Sequence, residues 1–412
     1  MIVGRPSAVA ASLIALFPTF TGPCIAAQTK AVTALCDPKI VANVVVTTSA
    51  QRLAAGLRAQ PPLTDEANGF AWPDTNLGVV KMESGYAFFG SDGAYHARQQ
   101  WDQEAFGNDK YGSITRTLGT LDNPLGTEPP VDVTIAANPD PTVNPFYSSY
   151  DYMGGGPVYL VPAGLPGAGK LLMVYHAEIP TIATQSFDSV LALAASSDGG
   201  LIWTDLGEIV RINQGYRSDM DGYDIGDANL VTSADGTYFM IYFSDWLANS
   251  TTHWEDSVTV VSVARASVDS VLTAAFGNHP HAAPFQKYYD GWRLDQGLGG
   301  YSQDLNPNGA YIGRQQVAYN ADLKRYQMFI NQQVLIAYSE SSDGMQWSIP
   351  TVLYDFRKET DKPSVYDTPV SLGSDPGILG LKFYIFYTSY PSAGAHPGWE
   401  GASVKRFTIL CQ

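Results

Sequence analysis

The sequence predicts an all-β protein: a five-bladed β-propeller of four-stranded antiparallel blades, its ring closed by pairing of the N- and C-terminal strands. Three observations point there. A pair of apolar strands joined by a tight turn recurs five times. The composition suits many short strands, with 12% aromatic and 16% charged residues, 39 Gly and 26 Pro. A cysteine also lies near each end of the chain. At 412 residues the chain either splits into domains or repeats itself, and repetition is what the residues show.

The five copies are residues 76–82 with 86–91, 156–162 with 171–178, 228–233 with 238–245, 315–319 with 326–331, and 368–373 with 383–389. In each, the second strand is rich in aromatics, and the turns carry Gly, Asp, Asn or Ser, which favour the tight backbone a hairpin needs. Further apolar runs at 189–195, 258–264 and 334–339 read as third strands, and those at Ile209-Val210 and 351–354 as fourth strands. A two-domain β-sandwich is the structural alternative, but it does not of itself call for a fivefold repeat. Segments 40–48 and 403–410 read as the strands that pair to complete the last blade.

Residues 1–27 have the layout of a cleavable secretory leader: Arg5, an apolar run at 8–17, then small residues up to Ala27. Pro18 and Pro23 break the run, and it is too short to span a bilayer. The expected mature chain is 28–412, a single propeller domain, secreted to an extracellular or periplasmic space, with no membrane partner. Cleavage would remove Cys24 and leave Cys36 and Cys411. In a circular fold these must approach each other, so a disulfide locking the ring is expected, two separate buried thiols being the alternative. A formal net charge of −16 repels phosphate backbones and anionic membranes, which sets nucleic acid aside. The chain is expected to be a monomer.

Two loops mark the fold more sharply. Ser196-Ser197-Asp198-Gly199-Gly200-Leu201-Ile202-Trp203 matches the Asp-box pattern Ser-x-Asp-x-Gly-x-x-Trp, and residues 341–347 form a relative one residue shorter. In such a turn the Asp accepts backbone N–H bonds, Gly takes a conformation other residues resist, and Trp buries itself between sheets. Asp198 and Asp343 are therefore assigned a structural role.

In a propeller the first strand of each blade starts, and the second ends, at one rim of the central channel. That geometry collects Asp74, Asn76 and Asp92 from the first unit, Asp151, His176 and Glu178 from the second, Asp224, Asp227 and Asp245 from the third, Arg314 and Gln316 from the fourth, and Asp367 from the fifth. Converging acids repel, which raises some pKa values and leaves other groups ionised, the condition that general acid and base catalysis needs. Asp74, Asp227, Glu178 and Asp151 are the candidate catalytic carboxylates. Asn76, Asp92, His176, Asp224, Asp245, Arg314, Gln316 and Asp367 are candidate substrate-binding residues. No cofactor is required by this chemistry, although an oxygen-rich channel could hold Ca²⁺. No HExxH, CxxC, phosphate-binding glycine loop or GxSxG is present, which argues against a zinc protease, a nucleotide enzyme or a serine hydrolase of the usual kind.

The repeats, the two Asp-bearing turns and the acids preceding first strands resemble the five-bladed glycosidases of glycoside hydrolase families 43, 32, 62 and 117. The resemblance implies a base or nucleophile Asp from the first blade, matched by Asp74, a supporting Asp from the second, matched by Asp151, and an acid from the third, where Asp227 stands in place of Glu. Thr75-Asn76-Leu77-Gly78 with Phe89-Gly90-Ser91-Asp92 also resembles the endo-D-arabinanases, with Asn76 where they carry Asp. A secreted hydrolase of a polysaccharide or oligosaccharide, furanose-containing polymers such as arabinan included, is the implied function. A non-catalytic carbohydrate-binding propeller is the alternative from another class. A sialidase would need an early Arg-Ile-Pro motif that the chain lacks. Two carboxylates facing each other at catalytic separation would decide for the enzyme.

Overall fold

A computed structural model describes residues 35–55, 75–92, 113–150, 152–180, 187–213, 224–247, 258–292, 296–305, 314–332, 334–359, 361–363, 366–391 and 403–412. The leader expected at 1–27, and the candidates Asp74 and Asp151, lie outside them. Residues 32–412 form one compact unit, and everything below concerns it.

The strands form antiparallel meanders. The first is Gly78–Met82, Gly85–Asp92, Ser113–Gly119 and Val131–Ala136. The second runs from Tyr152–Gly154 and Val158–Leu160 through Leu171–Pro180 and Phe187–Ser196 to Ile202–Val210. A parallel pairing of Val131–Ala136 with Ile202–Val210 joins these two into one nine-stranded sheet. Asp224–Thr232, Tyr238–Leu247, Val258–Ser267 and the two-residue Gln286–Lys287 make the third meander. Arg314–Asn320, Arg325–Asn331, Leu335–Ser341 and Thr351–Asp355 make the fourth. In the fifth, Thr368–Ser371, Lys382–Pro391 and Ser403–Cys411 are completed by Pro38–Thr47 from the other end of the chain.

Second strands such as Leu171–Tyr175, Phe239–Phe243 and Met328–Ile330 are buried residue after residue rather than alternately, because each sheet is covered on both faces. The covering is cyclic. Leu171 and Met173 pack against Val80 and Phe89 of the first meander, and Leu172 and Val174 against Phe239 and Ile241 of the third. Met240 and Tyr242 meet Met328 and Val317 of the fourth, Phe329 and Ala318 meet Phe383 and Ile385 of the fifth, and Phe386 and Val370 return to Phe88 and Val79 of the first.

The cycle is fastened at the chain ends. Pro38–Thr47 pairs antiparallel with Ser403–Cys411, and a Cys36–Cys411 disulfide spans 375 residues beside that ladder. The Glu340 carboxylate of the fourth meander accepts hydrogen bonds from the backbone N–H groups of Leu35 and Cys36, at 2.6 and 3.1 Å. The Ser196–Trp203 turn is built as its residues require: Asp198 Oδ1 accepts the N–H groups of Leu201 and Ile202, Gly199 and Gly200 have φ of 75° and 88°, and Trp203 is fully buried against Phe89.

Three features depart from the sequence reading. The first strand of the second meander is interrupted at 155–157, where the chain passes so close to the next strand that a Cβ on Gly156 would lie 2.4 Å from the Val174 carbonyl oxygen, and Pro157 has no N–H to offer a ladder. The first strand of the third meander begins at Asp224 rather than Ala228. Val268–Phe276 forms a helix, started by Ser267, whose side chain accepts from Ser270 N–H. Among the described residues no helix is long and apolar enough to cross a membrane.

Replacing Cys36 and Cys411 together by Ser is expected to lower the unfolding free energy by as much as ~5 kcal/mol, from the long loop the bridge closes. Urea denaturation with and without the substitutions measures it. An unchanged midpoint would show that the strand pairing alone carries the closure.

Candidate active site

The site is assembled from the ends of strands in the second to fifth meanders, and Asp227 is its joint. Asp227 sits inside a strand but at φ 54°, in the left-handed region that costs most side chains about 1–3 kcal/mol and Asp rather less. The cause is a bulge: Gly226 pairs with Ser244 and Asn229 with Tyr242, so Asp227 and Ala228 together oppose Phe243. Bulges re-aim side chains, and here the nearly buried Asp227 carboxylate meets the Arg314 guanidinium, with Oδ1 3.2 Å from Nη1. Ser244 Oγ lies 3.0 Å from Asp227 Oδ2 and 2.7 Å from Gln315 Oε1, and its single proton serves one at a time. Asn229 fixes the bulge by donating to the Asp227 and Gln315 carbonyls and accepting from Val317 N–H at 2.5 Å.

Burial pushes the Asp227 carboxyl upward and the neighbouring Asp224 adds to the shift, while Arg314 and Ser244 work against it. Burial disfavours the charge on Arg314 as well, but Asp227, Tyr366 and Asp224 outweigh it and hold the guanidinium protonated. The Arg314 guanidinium lies 4.9 Å from the centre of the Tyr366 ring.

On one side of this pair stands a histidine and carboxylate set from the second meander. His176 Nε2 is 3.1 Å from Glu178 Oε1 and Nδ1 is 3.1 Å from the Ile225 carbonyl oxygen. Burial, the strongest single influence on the imidazole, opposes its charge. The Glu178 hydrogen bond, Asp224 and the Ile225 carbonyl together exceed it and push the pKa up to about 9. His176 is therefore an imidazolium at neutral pH. Asp224 is oriented by Ser189, whose hydroxyl donates to Oδ1 at 2.7 Å while its oxygen accepts from Ile225 N–H at 2.6 Å.

On the other side stands Asp367, fully buried at the entry to Thr368–Ser371. Asn331, which pairs with Arg314 in the ladder, donates to Asp367 Oδ1 at 3.0 Å, and Oδ2 has no hydrogen-bond partner among the described residues. Burial pushes this carboxyl up to about 7, against the smaller effect of Asn331. The structure thus brings Glu178, His176, Asp224, Asp227, Arg314 and Asp367 into one arc across four meanders.

The remaining candidates sit apart from the arc or at its edge. Asp245, expected at the end of a second strand, lies two residues inside Tyr238–Leu247, receives a hydrogen bond from Ser302 Oγ at 2.6 Å and is 4.0 Å from the buried Lys287 ammonium. Burial raises its pKa, with Lys287 and Ser302 opposing; burial also lowers Lys287 to about 8. Asn76 donates from Nδ2 to the Ala228 carbonyl at 3.3 Å, and with Gln316 it lines a cavity to which none of the arc residues contributes. Asp92 closes its strand opposite Ser113. Sequence reasoning missed Ser189, Ser244, Asn229, Asn331 and Tyr366. The available signal was a hydroxyl or amide within an otherwise apolar strand. Among the described residues no three His, Cys, Asp or Glu stand close enough together to hold a metal ion.

No protein-family model matches the sequence, and no curated protein sequence matches it. Among solved structures, the chain is similar to a family 117 glycoside hydrolase from Zobellia galactanivorans, at 12% identity over 84% of this chain and 89% of that one, with a TM-score of 0.47. It is also similar to a family 62 hydrolase in complex with xylotriose, at 10% identity over 84% and 94% and a TM-score of 0.45. A third is a putative exo-β-1,3-galactanase from Bifidobacterium bifidum, at 12% identity over 84% and 93% and a TM-score of 0.44.

The Asp367 carboxyl, about 7 when folded against 3.8 when free, stabilises the fold in its protonated form. That contribution is complete below about pH 4 and is lost as pH rises through about 7. Asp367→Asn is expected to match the wild type near pH 4 and to exceed it by up to ~4 kcal/mol near pH 8. Thermal melts at the two pH values check this. A difference independent of pH would contradict it.

Proposed function

We propose that the protein is a secreted glycoside hydrolase that cleaves a polysaccharide or oligosaccharide with a pair of carboxylates on the rim of a five-bladed β-propeller. The observation that carries the reading is the different surroundings of two carboxyls: burial alone, against Asn331, pushes Asp367 up to about 7, while burial also raises Asp227 but Arg314 opposes it. Asp367 holds a proton over a large fraction of the population at neutral pH, and its buried Oδ2 has no hydrogen-bond partner among the described residues. Asp227 stands beside a permanent positive charge. The cyclic packing of the meanders and the terminal strand pairing support the propeller. The disulfide supports an oxidising, extracellular or periplasmic location after removal of a leader at 1–27.

In this mechanism Asp367 gives its proton to the glycosidic oxygen as the bond from that oxygen to the anomeric carbon breaks. The Asp227 carboxylate stabilises the positive charge that develops on the sugar, and either takes a proton from the attacking water or attacks the anomeric carbon itself. Arg314 and Ser244 hold Asp227 in place. Glu178 is the second candidate for the ionised role, with His176 as its counter-charge. Asp74 and Asp151, to which the family resemblance gives the base or nucleophile and the supporting roles, are the alternative, with Asp74 then in place of Asp227. The substrate is a carbohydrate polymer or oligosaccharide and the protein acts as a monomer.

Reducing-sugar release from a panel of polysaccharides tests the reading. One polymer is expected to be cleaved, with kcat/KM reduced by about 10²- to 10⁴-fold in Asp367→Asn and in Asp227→Asn. The wild-type rate is expected to fall as pH rises through the Asp367 value of about 7. A wild type that binds glycans but cleaves none would replace the enzyme by a carbohydrate-binding propeller. Cleavage that survives both substitutions would move the acids elsewhere.

A further inference from the structure

We infer that Gln315 is a positioning residue for Asp227 and that, through the Ser244 hydroxyl, it governs how firmly the Asp227 carboxyl holds a proton. The three groups come from three strands. Asp227 lies in the bulge of the third meander's first strand, Ser244 opposite Gly226 in its second strand, and Gln315 next to Arg314 in the first strand of the fourth meander. Ser244 and Gln315 are each 0% exposed, so bulk water does not compete for their hydrogen bonds.

The geometry defines a short relay. Ser244 Oγ lies 3.0 Å from Asp227 Oδ2 and 2.7 Å from Gln315 Oε1. The Gln315 amide is oriented by its own Nε2, 3.5 Å from the Asp227 carbonyl oxygen; the reverse orientation would set two carbonyl oxygens against each other. Ser244 therefore meets an acceptor on both sides and has one proton to give. Asp227 Oδ1 faces the Arg314 guanidinium, which leaves Oδ2 as the oxygen that can carry a proton.

The two protonation states of Asp227 use the relay differently. With Asp227 ionised, Ser244 donates to Oδ2, and buried Gln315 Oε1 loses the donor that the structure gives it, an arrangement that buried polar groups avoid. With the proton on Oδ2, Asp227 donates to Ser244 Oγ, Ser244 donates to Gln315, and every member is paired. Ser244 alone favours the ionised carboxyl, and Gln315 competes for the proton with which it does so. Gln315 thus acts in the same direction as burial and Asp224, and against Arg314 and His176, the other charged groups that bear on Asp227. Its catalytic meaning rests on the hydrolase reading. The proton taken from the attacking water stays on Oδ2 while the water oxygen bonds to the anomeric carbon, and Ser244 turns its own proton to Gln315.

Titration of the Asp227 carboxyl by ¹³C NMR in the wild type, Gln315→Met, Ser244→Ala and the double variant tests the relay without requiring activity. Gln315→Met is expected to lower the Asp227 midpoint by about one pH unit, the worth of one buried hydrogen bond, and to leave it unchanged in the Ser244→Ala background. Should Gln315→Met fail to fold, Gln315→Asn, which draws the amide away from Ser244, decides with the same expectation. The acidic limb of the kcat/KM profile is expected to move down with the midpoint. A limb that stays while the NMR midpoint falls would remove Asp227 from catalysis and uphold the relay. A midpoint that stays or rises in a folded Gln315 variant, or the same fall without Ser244, would overturn it.

Discussion

The Asp227 and Arg314 pair holds the site together, because the first strands of the third and fourth meanders are tied there and the second meander is bound two residues away. Arg314 begins the first strand of the fourth meander and Asp227 lies in the bulge of the third. Ile225, two residues before the bulge, receives the second meander through His176 and Ser189. Removing either member of a buried ion pair leaves the other charge unpaired, which costs far more than the pair contributes when intact. The left-handed backbone at Asp227 persists only because Asn229, Ser244 and Arg314 all depend on it being there.

From that pair the electrostatics spread along the arc. Asp224 bears on His176, Asp227, Arg314 and Asp245 alike, so no one of these groups titrates independently of it. Asp367 escapes this crowd. Its shift comes from burial, with only Asn331 opposing. Two carboxyls are therefore under different influences: Asp227 beside the Arg314 guanidinium, Asp367 raised by burial. Separation of roles by environment is how chemically identical groups serve as acid and base.

Much of the fold was legible because its signals are local and repeated. The aromatic second strands, the Ser196–Trp203 turn and the paired terminal segments announce themselves in runs of a few residues. Less of the site could be read. Asp227 was found from its neighbourhood, but the bulge that re-aims it was not, since a bulge depends on which residues of two strands face each other. Asp367 was recognised as a rim residue, yet its raised pKa follows from neighbours brought in by other meanders. Asn76 and Gln316, expected at the rim from their place near strand starts, are instead among the lining of a cavity to which no residue of the arc contributes. Residue spacing places a side chain along a strand; which neighbours it meets depends on how that strand is staggered against those of other meanders.

The account rests most heavily on Asp367 and Asp227 holding their protons differently. Titration of the Asp carboxyl carbons by ¹³C NMR, with the two resonances assigned from Asp367→Asn and Asp227→Asn, measures that directly. The Asp367 resonance is expected to titrate near 7, and the Asp227 resonance, raised by burial but opposed by Arg314, at a different pH. An Asp367 resonance that moves in the range of an exposed carboxylate, at about 4, would contradict it, because Asp367 would then hold no proton to give at neutral pH.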